Sequence, residues 1–383
     1  MKCIRCNHDS TYAQRKNRNC PKCSLPFAFE PKTGDPVTDM LFKNAIDAVS
    51  AEGRIRWGIE HLYYEICRRK RGKVVPLLAI GIVAGTALLL FGIALSTRFF
   101  PFGFFAFIAA IIALIMAATR MQGPFVRLEL NKFNLLWDRW TRTHGVPKGL
   151  IVRQAPRLRA GAGKSVPATS ATVPAFGKRQ GEPAARRPLE RDIGDYSFDR
   201  AVICDRARTV DLLVANNFHF ENNCAILSYD GYPDGQFQTI KTMLKRNPRL
   251  RVFALHDATP DGCAMAQRLA TETDWFDGRI RIIDLGLRPN HAGPFHGLLL
   301  PAKGQAVQPG PGINQNEADW LRRHQLEIAA VRPEQVIKRL FAGLTAHAGD
   351  DTSGGGVTNC GSFDGGGGGA DGGGDGHGAD AFG

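Results

Sequence analysis

Apolar and polar positions follow several different patterns along this chain. Over residues 38–71, Leu41, Ala45, Ala48 and Val49 fall on one helical stripe, followed by Ile55, Ile59, Leu62 and Ile66. Gly53 between the two groups predicts a pair of helices rather than one. Phe133, Leu136, Trp137 and Trp140 give residues 125–143 the same period. Residues 74–95 and 99–119 differ: both are apolar throughout, without a charge or a polar face. At 1.5 Å per residue each is long enough for a hydrocarbon core of about 30 Å. Ser96, Thr97 and Arg98 alone separate them, so a transmembrane hairpin is predicted over 74–119, flanked by juxtamembrane helices over 38–73 and 120–150. Beyond residue 200 the runs shorten. Segments 201–204, 224–228, 251–255 and 279–284 read as buried strands, and 210–217, 237–245 and 263–271 as helices between them. That alternation predicts a parallel sheet covered by helices. Residues 316–330 and 333–344 read as two closing amphipathic helices, with Pro333 suited to a helix start.

Composition divides the chain further. Its 383 residues carry a net charge of +13, spread unevenly. Residues 151–191 are rich in Pro, Ala, Gly and Lys/Arg without apolar period, and read as a flexible basic linker able to meet anionic lipid or nucleic acid. Residues 348–383 are rich in Gly and Asp and read as a disordered tail. The α/β domain then occupies 192–347. The predicted fold is a multidomain membrane protein. Arg68, Arg69, Lys70, Arg71 and Lys73 precede the hairpin, Arg120 and Arg127 follow it, and its turn holds only Arg98. The positive-inside rule therefore predicts a two-pass plasma (inner) membrane protein with both termini cytoplasmic. No ionisable residue interrupts either apolar run, which makes the hairpin an anchor rather than an ion or proton path. Gly81-x-x-x-Gly85 suggests homo-oligomerisation through it. The expected partners are the lipid bilayer and a protein or nucleic acid.

Four of the nine cysteines lie in the first 23 residues, as Cys3-x-x-Cys6 and Cys20-x-x-Cys23. Paired knuckles of this kind suit a tetrahedral zinc closed by four thiolates, a structural site with no open position. Residues 1–30 are thus predicted as a zinc ribbon whose metal supplies most of the folding energy. Free thiolates imply a reducing compartment. Arg15, Lys16 and Arg18 in the ribbon's loop offer phosphate contacts or simply a solvated face.

Each strand of the α/β region runs into an aspartate: Asp205, Asp230, Asp257 and Asp284. Open parallel sheets bind ligands at the carboxyl ends of their strands, above all where strand order reverses. With an order 2-1-3, Asp205 and Asp257 end on neighbouring strands, close enough to share a divalent metal; each has the alternative of capping a helix. His256-Asp257-Ala258-Thr259-Pro260-Asp261-Gly262 resembles the Asp-x-Asp-x-x-Gly motif of the Toprim domain, and Asp205 stands where that domain has its glutamate. The likeness covers residues 198–290. It implies a Toprim-like fold and acids that hold magnesium in phosphodiester chemistry. Two departures weaken the implied chemistry: Asp205 is shorter than glutamate, and Thr259 replaces the second aspartate, with Asp261 offset by two positions. The expectation is an interaction or regulatory protein with a non-catalytic Toprim-like domain that binds a protein or nucleic acid. The alternative is a magnesium-dependent nuclease or phosphotransferase using Asp205, Asp257 and Asp261. His256 is expected to be structural, and Cys263 at a helix start is a weaker nucleophile candidate. His61, His144, His291 and His296 are read as packing or loop residues rather than ligands.

Overall fold

The computed structural model describes residues 1–15, 17–70, 77–97, 100–120, 125–126, 128–152, 198–234, 237–247, 250–271, 275–276, 280, 282–302, 304, 306–346 and 357–359. The linker lies outside them apart from 151–152, and so does the tail apart from 357–359.

The N-terminal ribbon leads into helix α1 (Asp39–Val49), whose start is fixed by the Thr38 hydroxyl accepting from the Leu41 amide at 3.1 Å. The expected break at Gly53 is present. Ala51, Glu52 and Gly53 all have positive φ there, and α2 (Ile59–Lys70) begins beyond it. Helix α2 is buried over its whole length from Ile59 to Cys67, including Glu60, His61 and Glu65. Helix α5 (Leu130–His144) presents Phe133, Leu136, Trp137 and Trp140 to the same core, where Phe42 stacks on Trp140 at 4.7 Å.

Between α2 and α5 lie α3 (Leu77–Thr97) and α4 (Phe100–Arg120), packed on each other as the expected hairpin. Their expected crossing of a membrane is corrected. Among the described residues no helix is long and apolar enough to cross one. Continuously described side chains run over 81–93 in α3 and 103–115 in α4, short of the roughly 17–25 residues a span needs. The membrane-protein class, the transmembrane helices and the two-pass inner-membrane address are therefore not upheld. The hairpin does leave large apolar side chains uncovered, with Leu88 and Leu114 more than 70% exposed. A Cβ on Gly81 or Gly85 would meet only open space.

The α/β part follows the anticipated alternation closely. In chain order its elements are β1 (Arg200–Cys204), α6 (Ala207–Ala215), the short α7 (Phe218–Glu221), β2 (Cys224–Ser228), α8 (Phe237–Arg246), β3 (Arg251–Leu255), α9 (Pro260–Thr271) and β4 (Ile282–Asp284). The sheet is parallel with order β2-β1-β3-β4. Period-two alternation sends Val202, Cys204, Phe253 and Leu255 to one face, with α6 and α7. Ala201, Ile203, Val252 and Ala254 go to the other, with α8 and α9.

Three features depart from expectation. The segment Val357–Asn359, inside the predicted disordered tail, forms β7 and extends the sheet beside β4. The helix expected over 316–330 is only α10 (Gln315–Leu321), closed by an Asn314–Glu317 capping box. The chain then forms β6 (His324–Gln325), paired with β5 (Leu300–Pro301), and a single 3-10 turn at Ile328–Ala330. Backbone pairing of Leu326 with Ala258 competes with continued helix there. Finally, α2, α5 and the last helix, α11 (Pro333–Ala346), share one continuous apolar core with the sheet. Glu65 of α2 holds Arg68 at 2.6 Å, Arg69 at 3.1 Å and Arg332, just before α11, at 2.9 Å.

Candidate functional site

The four N-terminal cysteines converge. Their sulfur atoms all lie within 4.8 Å of one another, and they are the one such metal-competent group among the described residues. Cys3 Sγ and Cys23 Sγ are 3.6 Å apart, as are Cys6 Sγ and Cys20 Sγ. A tetrahedron with metal–sulfur bonds of about 2.3 Å has edges of about 3.8 Å. The two halves repeat one local construction. Asn7 and Ser24 follow their CxxC pairs at φ 55° and 56°, and each donates its amide to the first cysteine's carbonyl, at 3.0 and 2.9 Å. Burial raises the Cys20 thiol, but amides of Cys23 and Lys22 directed at its sulfur outweigh that and bring it down to about 7. The ribbon is anchored by two buried acids. Glu30 pairs with Arg15 at 2.7 Å. Asp39 accepts from the amides of Ala28 and Phe29, both at 2.9 Å, and from His144 Nε2 at 2.8 Å.

Strands β1 and β3 are neighbours. The crossover from β1 leaves toward β2 and that from β3 toward β4, so the sheet reverses order between them. Asp205 and Asp257 stand at that point. The Asp205 Oδ2 accepts from the Asp257 amide at 2.8 Å. The Asp257 side chain is fully buried; its Oδ1 accepts from the Ile328 amide at 2.7 Å, and its Oδ2 lies 2.5 Å from Arg206 Nε. The remaining oxygens, Asp205 Oδ1 and Asp257 Oδ2, are buried without a hydrogen bond. Burial, then the neighbouring Asp257 charge, holds the Asp205 carboxyl above the ordinary carboxylate range. Arg208 pairs with Glu327 at 3.0 Å, and the Tyr64 hydroxyl donates to Glu327 at 3.1 Å. Burial would raise Glu327, but Arg208 and Arg206 outweigh it and keep the carboxyl low. The crevice is thus filled by α2 and by residues 326–328 of the same chain.

Asp261 does not join this group. Its side chain is 82% exposed in the first turn of α9 and faces Arg268 at 3.4 Å. Thr259 caps that helix: its hydroxyl accepts from the Gly262 amide at 3.1 Å, and Pro260 opens the first turn. A side chain on Gly262 would overlap the Asp257 carbonyl oxygen, so this glycine lets α9 approach the strand end.

His256, just past β3, belongs to a second buried network centred on Asp284 at the end of β4. Its Nδ1 faces the Asp257 carbonyl at 2.8 Å and its Nε2 the Asp284 Oδ1 at 2.9 Å. Both partners only accept, so both ring nitrogens carry protons and the imidazole is cationic. Burial lowers its pKa, but Asp284 more than restores it, to a net rise. Arg288 binds the other Asp284 oxygen through Nε at 2.9 Å and Nη2 at 2.5 Å. Asp284, between two cations, is held below the ordinary range although burial opposes this. Both ring nitrogens of His256 are thus engaged within the buried network. Cys263 is fully buried, its sulfur 3.9 Å from the Leu287 carbonyl, and burial drives its thiol far up, against the reactive thiolate. His291 accepts from the Arg288 amide at 3.0 Å, a loop contact.

Arg206, Arg208, Glu327 and Tyr64 were not singled out as site residues in the sequence. Arg206 carries a signal, since it directly follows the first strand-end acid. Glu327 and Tyr64 reach the crevice only through tertiary packing. No protein-family model matches the chain, and no curated protein or solved structure is detectably similar to it.

Proposed function

We propose that this protein is an interaction protein, built from a zinc-stabilised ribbon and a non-catalytic Toprim-like domain, that binds nucleic acid. The observation that carries the non-catalytic reading is the Arg206–Asp257 ion pair at 2.5 Å, with the second Asp257 oxygen taken by the Ile328 amide. A strand-end acid neutralised in this way offers no open ligand position. The strand order β2-β1-β3-β4 and the place of Gly262 support the Toprim likeness. Thr259, spent on a helix cap, supports the loss of chemistry. Four thiolates with sulfur pairs 3.6 Å apart favour zinc as the ribbon's ion.

Nucleic acid is favoured over a protein partner by the ribbon's charge. Lys2, Arg5, Arg18 and Lys22 are exposed, and no acid pairs with them among the described residues. The nearby acids are already engaged, Asp9 by the N-terminal amine and Glu30 by Arg15. Tyr12 of the same ribbon is 43% exposed and offers a stacking face.

The test uses the zinc-loaded full chain with single- and double-stranded oligonucleotides, read by fluorescence anisotropy at two salt concentrations. Binding should weaken steeply with salt and weaken further in an Arg5→Ala/Lys22→Ala variant, with no cleavage in magnesium or manganese. Cleavage that disappears in Asp257→Ala would establish the phosphodiester enzyme instead, a reading favoured by the position of Asp205 and Asp257. Absence of binding at low salt would leave a protein as the partner.

A further inference from the structure

We infer that the Arg206 guanidinium, paired with Asp257, takes the place of a divalent cation at the strand ends of Asp205 and Asp257, so that these carboxylates form a cation site held shut by the chain itself. The inference rests on the non-catalytic reading above and says what maintains it.

Three observations carry it. The first is position: the two acids end adjacent strands where the sheet reverses order, the place where open parallel sheets bind ligands. The second is how their oxygens are used. Each carboxylate commits one oxygen to a backbone amide, Asp205 Oδ2 to Asp257 and Asp257 Oδ1 to Ile328. That fixes both side chains. It leaves one oxygen on each, Asp205 Oδ1 and Asp257 Oδ2, buried and without a hydrogen bond. Buried acceptors left in this state call for a counter-ion or a ligand. The third is the identity of the counter-ion. Arg206 meets Asp257 Oδ2 through Nε at 2.5 Å, and its side chain is still 21% exposed, so a route to solvent is open. It leads into α6 with extended backbone (φ −136°, ψ 137°) and is not locked in the helix. Its Nη2 also lies 3.9 Å from Glu327.

Hard divalent ions such as magnesium and manganese are held by one or two carboxylates, with water filling the other positions. Two fixed carboxylates, each with one oxygen not hydrogen-bonded, meet that requirement once the guanidinium is gone. A guanidinium and a divalent ion repel, so they compete for this place. Removing the guanidinium uncovers the site, and supplying a divalent ion to the unaltered chain leaves it closed.

Manganese is the probe, followed by electron paramagnetic resonance and calorimetry on the zinc-loaded full chain. A mild detergent covers the apolar faces of α3 and α4. The wild type should take up no manganese beyond weak, millimolar binding to exposed acids. Arg206→Ala should gain one site at least tenfold tighter, and Arg206→Ala/Asp257→Asn should lose it. Arg206→Gln, which keeps most of the side chain's volume, serves as a second variant if the alanine form unfolds. The inference is overturned if the wild type already binds one manganese that Asp257→Asn removes. It is overturned equally if a folded Arg206 variant gains no site. Failure here is distinct from failure of the functional reading. Cleavage of nucleic acid by the wild type would sink that reading, whereas an inert wild type with no gain in the variants would sink only this one.

Discussion

Asp284→Asn is the most demanding test of the buried polar design. Asp284 has two cationic neighbours, His256 and Arg288, and also accepts the Gly286 amide at 2.9 Å. His256 and Asp284 are fully buried and Arg288 nearly so. Replacing the carboxylate with an amide removes the central charge and leaves two cations facing each other across a neutral group. At an effective dielectric constant near 20, one pair of unit charges about 4 Å apart interacts by about 4 kcal/mol. Breaking a buried pair typically costs about 3–5 kcal/mol. Two pairs are broken here, but His256 escapes part of the cost by losing its proton. Arg288 keeps the Gly312 carbonyl at 2.7 Å and Glu317 at 3.3 Å. A loss of about 3–5 kcal/mol is the expected net. His256→Asn should cost less, about 1–3 kcal/mol, because Asp284 retains Arg288 and the Gly286 amide. Urea unfolding of the full chain, followed by tryptophan fluorescence, measures both, since Trp275 and Trp320 lie in the α/β part. The pH dependence adds a second readout. The raised pKa of His256 gives stability that is full below about 6.5 and lost as pH rises through the folded value. The lowered pKa of Asp284 gives stability that is full above about 4 and lost as pH falls through its folded value. The network is therefore at full strength between about pH 4 and 6.5, and His256→Asn should remove the decline on the alkaline side. A loss below about 1 kcal/mol in Asp284→Asn, or an unaltered pH profile in His256→Asn, would refute the account.

Three further outcomes follow from the packing. Chelation, or Cys6→Ser, should release one bound metal ion per chain and make the ribbon's remaining thiols reactive. Metal analysis with thiol titration checks this, and unaltered metal content would count against the four-sulfur site. Gly286→Ala should destabilise by about 1–3 kcal/mol, because its methyl group would overlap the buried His256 ring; Gly262→Ala should act similarly through the Asp257 carbonyl, and both are read from urea midpoints. Glu65→Gln should cost about 3 kcal/mol and loosen α2 from the start of α11, since this acid, 1% exposed, holds Arg68, Arg69 and Arg332. Amide hydrogen exchange in α2 and α11 should rise together, and exchange confined to one helix would contradict the link.

What the sequence made legible depended on how local the cause is. The strands at Arg200–Cys204, Cys224–Ser228 and Arg251–Leu255 could be read directly, because a strand buried on both faces is an unbroken apolar run. The cysteine site was equally legible, because CxxC spacing itself creates the knuckle. Asp205 and Asp257 were placed together correctly because neighbouring parallel strands leave little freedom at their ends. Arg206 as the counter-ion of Asp257 was not read, since chain proximity does not say where a long side chain points. Helix α2 was read from its apolar stripe as one of a pair of juxtamembrane helices, with one face packed. Its acids Glu60 and Glu65 are buried as well, and Glu65 is satisfied by Arg332, more than 260 residues further along the chain. The two apolar helices that follow it misled in the other direction. Charge-free length predicted a membrane crossing, and among the described residues no helix meets that requirement.

The burial of α2 bears on how the crevice at Asp205 and Asp257 is kept closed. The sheet alone provides only the two acids and Arg206. Closure needs Tyr64 from α2, which orients Glu327, and Glu327 in turn holds Arg208. It needs the backbone of residues 326–328, which takes one Asp257 oxygen and pairs with Ala258. It also needs the Glu65–Arg332 pair, which joins α2 to the chain leading into α11. These groups come from three distant stretches of sequence and are satisfied only together. The state of Arg206 is therefore a property of the assembled core, and a partner that displaced α2 would act directly on the charges around the strand ends. The ribbon joins the same assembly through Asp39, which ties Ala28 and Phe29 to His144 at the end of α5. Metal site, helices and strand-end acids thus form one continuous structure in which a contact made at the ribbon has a physical route to the crevice.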